Sequence, residues 1–123
     1  PTNRLGHADR HGQSMADTMM ARETGSPEYL AHGQAYCPFP DEPSELLPAD
    51  KVPYWDFDAP NIPNAPRDAS AAAIMASALI ELSQLDKSDE AKGYLDFAEQ
   101  QVRSLSSPEY LAEKGTNCNF VLK

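Results

Sequence analysis

The uneven placement of proline constrains the fold most, because eight of the 11 prolines lie between residues 38 and 67. Proline has no backbone N–H to donate and pushes the preceding residue out of the helical region, so this segment cannot form a continuous helix. The segment also holds Tyr54 and Trp55, the latter being the only tryptophan of the chain. Because long loops in compact domains are usually functional or disordered, and this one is rich in aromatic residues, we predict a packed loop over 38–67.

A helical pattern precedes this loop, over residues 14–37. Met15, Met19 and Met20 recur at helical spacing and form one apolar face. Gly25 is a good residue to end a first helix in this region, because glycine tolerates the left-handed conformation that follows many helices. The Ser-Pro-Glu sequence that comes next is typical of a second helix start.

Two more helices are predicted after the loop. Asp68 suits an N-cap, and residues 68–85 are apolar or small almost all round, which is typical of an inner helix buried on most sides. Residues 88–105 place apolar side chains on one face only, as an outer helix does. A C-terminal segment, 106–123, completes the chain.

The hexapeptide Ser-Pro-Glu-Tyr-Leu-Ala occurs twice, at residues 26–31 and 107–112. Each copy has a helix-capping serine, a proline at the first helical position and an acid in the first turn. Both copies are therefore predicted to be good helix starts. Repeated helical hairpins are a natural context for such a repeat, although shared capping chemistry would produce the same match.

Charge excludes several classes of partner. The formal net charge is −9, which argues against nucleic acid and against an anionic membrane surface, because both require a basic patch. No stretch approaches the roughly 20 apolar residues that span a bilayer. His7, Asp9 and His11 have a spacing that suits a strand, whereas their context is helical, so we predict no metal site.

The most specific pattern is Lys-Val-Pro-Tyr-Trp-Asp-Phe-Asp-Ala-Pro from residue 51, which runs into Arg-Asp-Ala-Ser-Ala-Ala-Ala-Ile at 67–74. It resembles the unsaturated glucuronyl hydrolases (glycoside hydrolase family 88), bacterial enzymes with a near-identical aromatic loop that leads into a buried helix. Further blocks resemble the family in the same order, at residues 7–10, 22–30, 105–111 and 115–123. The resemblance implies an all-α fold, namely part of an (α/α)6 toroid of the six-hairpin glycosidase type, with residues 1–123 as one partial domain.

The resemblance also implies a reaction. These enzymes remove 4,5-unsaturated glucuronic acid from oligosaccharides made by polysaccharide lyases, and they need no metal or organic cofactor. An aspartic acid protonates C4 of the vinyl ether, and water adds at C5. Two alternatives stay open: a non-catalytic fragment or remnant that keeps only scaffold and sugar-facing loop, and an α/α-toroid glycosidase or lyase of another specificity.

The chain departs from the family pattern in one region. The family's catalytic Asp and its supporting Asp are expected before His7, and neither segment is recognisable. Its Trp-x-Arg-Gly-Gln-Ala-Trp motif survives only as Arg-His-Gly-Gln at 10–13, so residues 10–21 resemble a junction across a deletion. The isolated chain is therefore predicted to lack the catalytic Asp pair.

The resemblance still assigns candidate site residues. Asp17 lies in an Asp-x-Met-Met setting similar to that of the family's catalytic acid, although an aspartate on a helix surface is the competing interpretation. Trp55 and its neighbour Tyr54 could stack on a sugar ring or anchor the loop to the core. Arg67 could hold the loop by an ion pair or bind the carboxylate of a uronic acid. Arg10 and Gln13 are carried over as substrate-binding residues.

Two further features of the sequence bear on a possible site. Asp56 and Asp58 are two residues apart, so in an extended chain both carboxylates face one way and could share acid and base roles; loop acids that accept backbone N–H groups are the competing interpretation. Lys123 matches a basic position where some family members approach a sulfated neighbouring sugar.

Overall fold

The computed structural model describes residues 7–36, 47–56 and 58–123, and the side chains of residues 7–11 and of Asn119 are not described. Residues 38–46 and Phe57 of the predicted loop therefore lie outside the described residues. These described ranges contain four α-helices: α1 (His7–Thr24), α2 (Pro27–Ala35), α3 (Ala69–Leu85) and α4 (Glu90–Leu105). The described ranges contain no strand, only isolated antiparallel bridges between Tyr54 and Arg67 and between Leu111 and Leu122. None of these helices is long and apolar enough to cross a membrane.

Helices α1 and α2 form a hairpin around Gly25. This glycine has φ of 68°, and its N–H donates to the carbonyl of Ala21 at 2.8 Å, so it ends α1 as the sequence predicts. Helix α1 runs without interruption through residues 10–21, the region that resembles a junction in the sequence.

The buried face of α1 differs from the predicted methionine face. Ser14, Asp17 and Thr18 are buried, whereas Met19 and Met20 are exposed. The reason is the close approach of α2 at Gly33, whose carbonyl accepts a hydrogen bond from Ser14 Oγ at 2.9 Å. Small polar side chains fit this narrow crossing and methionines do not.

Helices α3 and α4 form the second hairpin and most of the apolar core. Asp68 caps α3, its Oδ1 accepting the N–H of Ala71 at 2.9 Å. The largest described core cluster is formed mainly by side chains of α3 and α4, including Met75, Leu79, Leu82, Tyr94 and Phe97. One face of α3, which includes Ala73, Ser77 and Ile80, stays exposed, so this helix is buried on one broad side rather than all round.

The described part of the proline-rich loop packs against the start of α3. Val52 and Tyr54 are buried, and the backbone N–H of Trp55 donates to the carbonyl of Pro66 at 3.0 Å. Gln101 of α4 is fully buried and donates to the carbonyl of Lys51 at 2.9 Å. The loop is therefore held to both helices of the second hairpin.

The second copy of the repeated hexapeptide does not start a helix, contrary to the prediction. Residues 26–31 enter α2, but in residues 107–112 the N–H groups of Tyr110 and Leu111 both bond the carbonyl of Ser107 and close a turn. Ala112 then donates to the carbonyl of Val121 at 2.8 Å. Pairing with the C-terminal residues replaces the helical turns that would otherwise follow.

Candidate functional site

The proline-rich loop is organised around a polar cluster of Asp50, Arg67 and Tyr110. Arg67 Nη1 donates to Asp50 Oδ1 at 3.0 Å and to the carbonyl of Val52 at 2.6 Å, and its guanidinium lies 4.5 Å from the centre of the Tyr54 ring. Tyr110 Oη donates to the other oxygen of Asp50 at 2.5 Å. Arg67 therefore makes an ion pair within the loop, with Asp50 as its partner.

This cluster changes the acidity of two of its members. Partial burial acts to raise the pKa of Asp50, but the hydrogen bonds from Tyr110 and the Val52 N–H, together with the charge of Arg67, outweigh it and hold that pKa below its usual value. Burial, followed by the hydrogen bond to Asp50, raises the pKa of Tyr110. The cluster consequently keeps an ionised carboxylate beside a neutral phenol across the physiological pH range.

Trp55 stands out from this packed loop. Its neighbour Tyr54 is 4% exposed, while the Trp55 side chain is 53% exposed. The interpretation that these two residues anchor the loop to the core therefore holds for Tyr54 and not for Trp55. Leaving half of an indole in water forgoes on the order of 2 kcal/mol of burial, which makes an exposed tryptophan on a fixed backbone a candidate contact for a ligand.

The loop next to Trp55 is acidic. Asp56 and Asp58 are both exposed, and Asp56 Oδ1 accepts the backbone N–H of Asp58 at 3.0 Å. A second bond, from the N–H of Ala59 to the carbonyl of Asp56 at 3.1 Å, closes the turn. Asp56 thus caps its own loop while its side chain stays exposed.

Asp17 and Gln13 meet on α1. Gln13 Nε2 donates to Asp17 Oδ2 at 3.0 Å, as their separation of one helical turn allows. Asp17 is 5% exposed, so it is not the helix-surface aspartate of the competing interpretation. Among the described residues, no hydrogen bond or ion pair joins this pair to Trp55 or Arg67.

Arg10 lies in α1, but its side chain is outside the described part of the chain, as are those of His7, Asp9 and His11. Where side chains are described, no group of three or more His, Cys, Asp or Glu residues is arranged to hold a metal ion. The candidate residues whose side chains are described thus lie in two places, the Gln13–Asp17 pair on α1 and the loop with Trp55 and Arg67.

Two grooves lie elsewhere on the surface. One, of about 790 Å³, is formed by the C-terminal segment and includes Lys114, Asn117 and Lys123. Lys123 Nζ donates to the carbonyl of Pro108 at its edge. The other, of about 490 Å³, is apolar and follows α3 and α4 past Ile80 and Val102. Neither of these two grooves includes Asp17 or Trp55.

Nothing in the sequence indicates Asp50 or Tyr110 as partners of Arg67. They lie 17 and 43 residues from Arg67 along the chain, and no local pattern marks either of them. Tyr110 belongs to the second hexapeptide, where a helix start is predicted. Only a general rule applies here: a partly buried arginine needs an anionic partner, and the rule does not say which residue supplies it.

Comparison with known proteins was made for sequence and for structure. No family model matches the sequence. An unsaturated glucuronyl hydrolase from Formosa agariphila is 50% identical over 105 residues, which are 85% of this chain and 25% of that protein.

The structural matches agree with the sequence match. The crystal structure of an unsaturated glucuronyl hydrolase specific for heparin superimposes with a TM-score of 0.85 at 39% identity, over 94% of this chain and 30% of that one. An Asp-to-Asn variant of such an enzyme, solved with the saccharide dGlcA-Glc-Rha-Glc, gives 0.80 at 27% identity, over 96% and 31%. The chain thus spans about a quarter to a third of the length of these relatives. By sequence and by the helical fold of its described residues, the chain is similar to the unsaturated glucuronyl hydrolases and matches part of their α/α toroid.

Proposed function

We propose that this protein hydrolyses oligosaccharides that end in 4,5-unsaturated glucuronic acid. The observation that carries the proposal is the 50% identity over 105 residues with an enzyme of that activity. A relative solved with dGlcA-Glc-Rha-Glc indicates the substrate class: an unsaturated uronic acid followed by further sugars. In this proposal the described chain supplies one wall of the sugar site.

Asp17 is the carboxyl group to which we assign the proton transfers. As a neutral acid it donates its proton to C4, which breaks the C4=C5 double bond and leaves the positive charge shared between C5 and the ring oxygen. Water then adds at C5 and returns a proton to the carboxylate, and the hemiketal that forms opens to release the next sugar. Gln13, hydrogen-bonded to Asp17 Oδ2, fixes the orientation of the carboxyl group.

Loop residues are assigned to binding. The Trp55 side chain is exposed, and its backbone N–H is hydrogen-bonded to the carbonyl of Pro66. Its aromatic face could therefore stack on the C–H face of a pyranose ring. Arg67 acts by holding the loop through Asp50. Arg10 is assigned to substrate binding on the resemblance alone.

The proposal is tested by the ultraviolet absorbance of the unsaturated uronide, which disappears when the double bond is hydrated. We expect the signal to fall with the wild-type chain, and Asp17→Asn to slow that fall by about 10²- to 10⁴-fold, as loss of a general acid does. Asp89→Asn is the control, because Asp89 is exposed at the start of α4 and makes no capping bond. Saturated uronides should not be cleaved; if they were, a toroid glycosidase of another specificity would be indicated.

A second candidate is a non-catalytic sugar-binding segment. It is favoured by the burial of Asp17, which is 5% exposed, bonds Gln13 and lies in neither described groove. If the folded chain, checked by circular dichroism, left the absorbance unchanged, hydrolysis by this chain would be contradicted. Saccharide binding without hydrolysis would then support the second candidate.

A further inference from the structure

We propose that the C-terminal segment, residues 106–123, is a latch on the proline-rich loop, here its described residues 47–56 and 58–67. The latch holds the loop through the side chains of Tyr110 and Leu122, and its release frees the loop while the two helical hairpins stay folded. This inference concerns the conformation of the chain and does not depend on hydrolysis. It follows from the anchors of the segment, the exposure of its other residues and the contacts that the loop makes with it.

The latch meets the rest of the protein through two partly buried side chains, Tyr110 and Leu122. Both pack against a buried apolar cluster with one member each from the loop, α3 and α4, namely Val52, Ala72 and Leu105. Tyr110 also donates its hydroxyl hydrogen to Asp50 of the loop, at 2.5 Å. The latch and the loop are therefore joined by a shared apolar cluster and by one hydrogen bond to a carboxylate.

The two anchors are tied to each other by backbone pairing inside the latch. The N–H of Lys123 donates to the carbonyl of Tyr110 at 2.8 Å, and the N–H of Ala112 donates to the carbonyl of Val121 at 2.8 Å. These bonds pair residues 110–112 with residues 121–123 in antiparallel directions. Because the pairing connects Tyr110 to Leu122, loss of either anchor weakens the hold of the other.

Beyond these anchors, most of the latch lies in water. From residue 111 to the end of the chain, every residue whose burial is described is exposed, except Ala112 and Leu122. Phe120 and Val121 are 73% and 70% exposed. A segment with few buried apolar contacts opens at a lower free energy than a packed core does. The latch therefore has the properties of a unit that is released on its own.

The loop depends on the latch at Val52. This side chain is fully buried, its N–H donates to Asp50 at 3.1 Å, and its carbonyl accepts a bond from Arg67 at 2.6 Å. Release of the latch uncovers the cluster that buries Val52 and removes the Tyr110 bond from the Asp50 carboxylate. Because Arg67 also pairs with Asp50, the loosening at residues 50–52 extends to the end of the loop.

The two hairpins keep their packing without the latch. The largest described core cluster, formed mainly by α3 and α4, contains no residue of the latch. The crossing of α1 and α2 is made by Gly33 with Ser14 and Thr18. Release of residues 106–123 therefore leaves both the main core and the first hairpin in place.

Amide hydrogen exchange of the whole chain in low urea, followed by NMR, tests the latch. The probes are two amides that close the loop and two that close the latch, all of them bonded to backbone carbonyls: Trp55, Asp68, Ala112 and Lys123. We expect these four amides to open together. Corrected for intrinsic rates, they should exchange at least about tenfold faster than the amide of Leu79, a residue buried in the middle of α3.

Variants of the two anchors should act on the loop as well as on the latch. Leu122→Ala should speed exchange of all four amides by about tenfold, because it removes apolar contacts that the released state does not make. Tyr110→Phe, which removes only the hydroxyl bonded to Asp50, should speed the same amides by about fivefold or more. Val121→Ala is the matched control: it changes the neighbour of Leu122, which is 70% exposed, and should alter the rates by less than about twofold.

Two results would overturn the inference. One is faster exchange of Ala112 and Lys123 alone in the anchor variants, with Trp55 and Asp68 unchanged, since the loop would then be held without the latch. The other is exchange of all four amides as slowly as that of Leu79, which would mean that they open only by global unfolding. The second comparison uses the wild-type chain, so it stands even where a variant does not fold, and neither result depends on whether a saccharide is hydrolysed.

Discussion

Asp50 accepts hydrogen bonds from side chains that are 17 and 60 residues away in the sequence, Arg67 and Tyr110. Its own backbone neighbour Val52 donates to it as well, at 3.1 Å. One carboxylate thus joins the middle of the loop, its end and the C-terminal segment. Because the carboxylate is only partly buried, with its side chain 27% exposed, each of these bonds is worth less than it would be in a dry core.

Tyr110→Phe tests the hydrogen bond from Tyr110 to Asp50. We expect the free energy of unfolding to fall by about 1–2 kcal/mol, because a hydrogen bond to a charged group is lost and Asp50 stays partly buried. Urea denaturation monitored by circular dichroism measures this. Tyr29→Phe, at a half-exposed tyrosine of α2, should change stability by less than about 0.5 kcal/mol. Equal effects at the two positions would show that the Asp50 contact contributes nothing.

Because the pKa of Asp50 is lowered in the folded chain, we expect part of the free energy of unfolding to be lost in acid. The pKa of Asp50 is lower in the folded chain than in the unfolded chain, where it is near 3.8. The stabilisation that ionised Asp50 provides is therefore present above pH 3.8 and is lost as the pH falls through the folded pKa. Asp50→Asn should lower stability at neutral pH by about 1–2 kcal/mol, and the difference from wild type should shrink as the pH falls below the unfolded value and vanish once the pH is below the folded pKa. Urea midpoints of both proteins across this range provide the measurement, and parallel curves would contradict the assignment.

At the scale of the helices, the crossing of α1 and α2 depends on the absence of a side chain at Gly33. A Cβ atom there would lie 2.8 Å from Thr18 Oγ1, which itself donates to the carbonyl of Ser14 at 2.7 Å. Such a contact is closer than packed atoms allow, so the helices would have to separate or Thr18 would have to break its bond. The crossing explains why α1 presents the small residues Ser14 and Thr18 to α2.

Gly33→Ala should therefore destabilise the protein by about 1–3 kcal/mol, the cost of overpacking, despite the better helix propensity of alanine. Gly12→Ala is the matched control, since a Cβ at this α1 position meets nothing within 4 Å. In Gly12→Ala only the better helix propensity of alanine acts, and it should stabilise the protein by about 0.5–1 kcal/mol. Thermal unfolding distinguishes the two variants by opposite shifts of Tm. A shift of the same sign in both would rule out a tight crossing.

At the scale of the whole molecule, the two hairpins share a core along one side of α3. Arg22 of α1 pairs with Glu81 of α3, and Gln34 of α2 donates to Asp86 at 3.0 Å, so polar contacts join the hairpins around that core. The opposite side of α3 borders the apolar groove past Ile80 and Val102. Adjacent residues of one helix therefore have very different environments.

The comparison of Leu79 with Ile80 measures this difference. Leu79 is 1% exposed and Ile80 is 37% exposed. Leu79→Ala should cost about 2–5 kcal/mol, because it removes buried methyl groups and leaves a cavity. Ile80→Ala should cost less than about 1 kcal/mol, since little burial is lost and alanine favours the helix. Urea unfolding of both variants gives the values, and a larger loss at Ile80 would show that its face is covered in solution.

What the sequence by itself determined is local: the end of α1 at Gly25, the cap of α3 at Asp68, and the exclusion of helix from the described part of the proline-rich segment. Each depends on the conformational preferences of adjacent residues, and the resemblance supplied the all-α toroid class. The tertiary structure decided which face of α1 is buried, that Trp55 points outward, and which anion Arg67 meets. It also decided that one hexapeptide becomes a helix at residues 26–31 and a turn at 107–112. Local preferences were the same in both copies, so the outcome was set by the partners that each segment found across the chain.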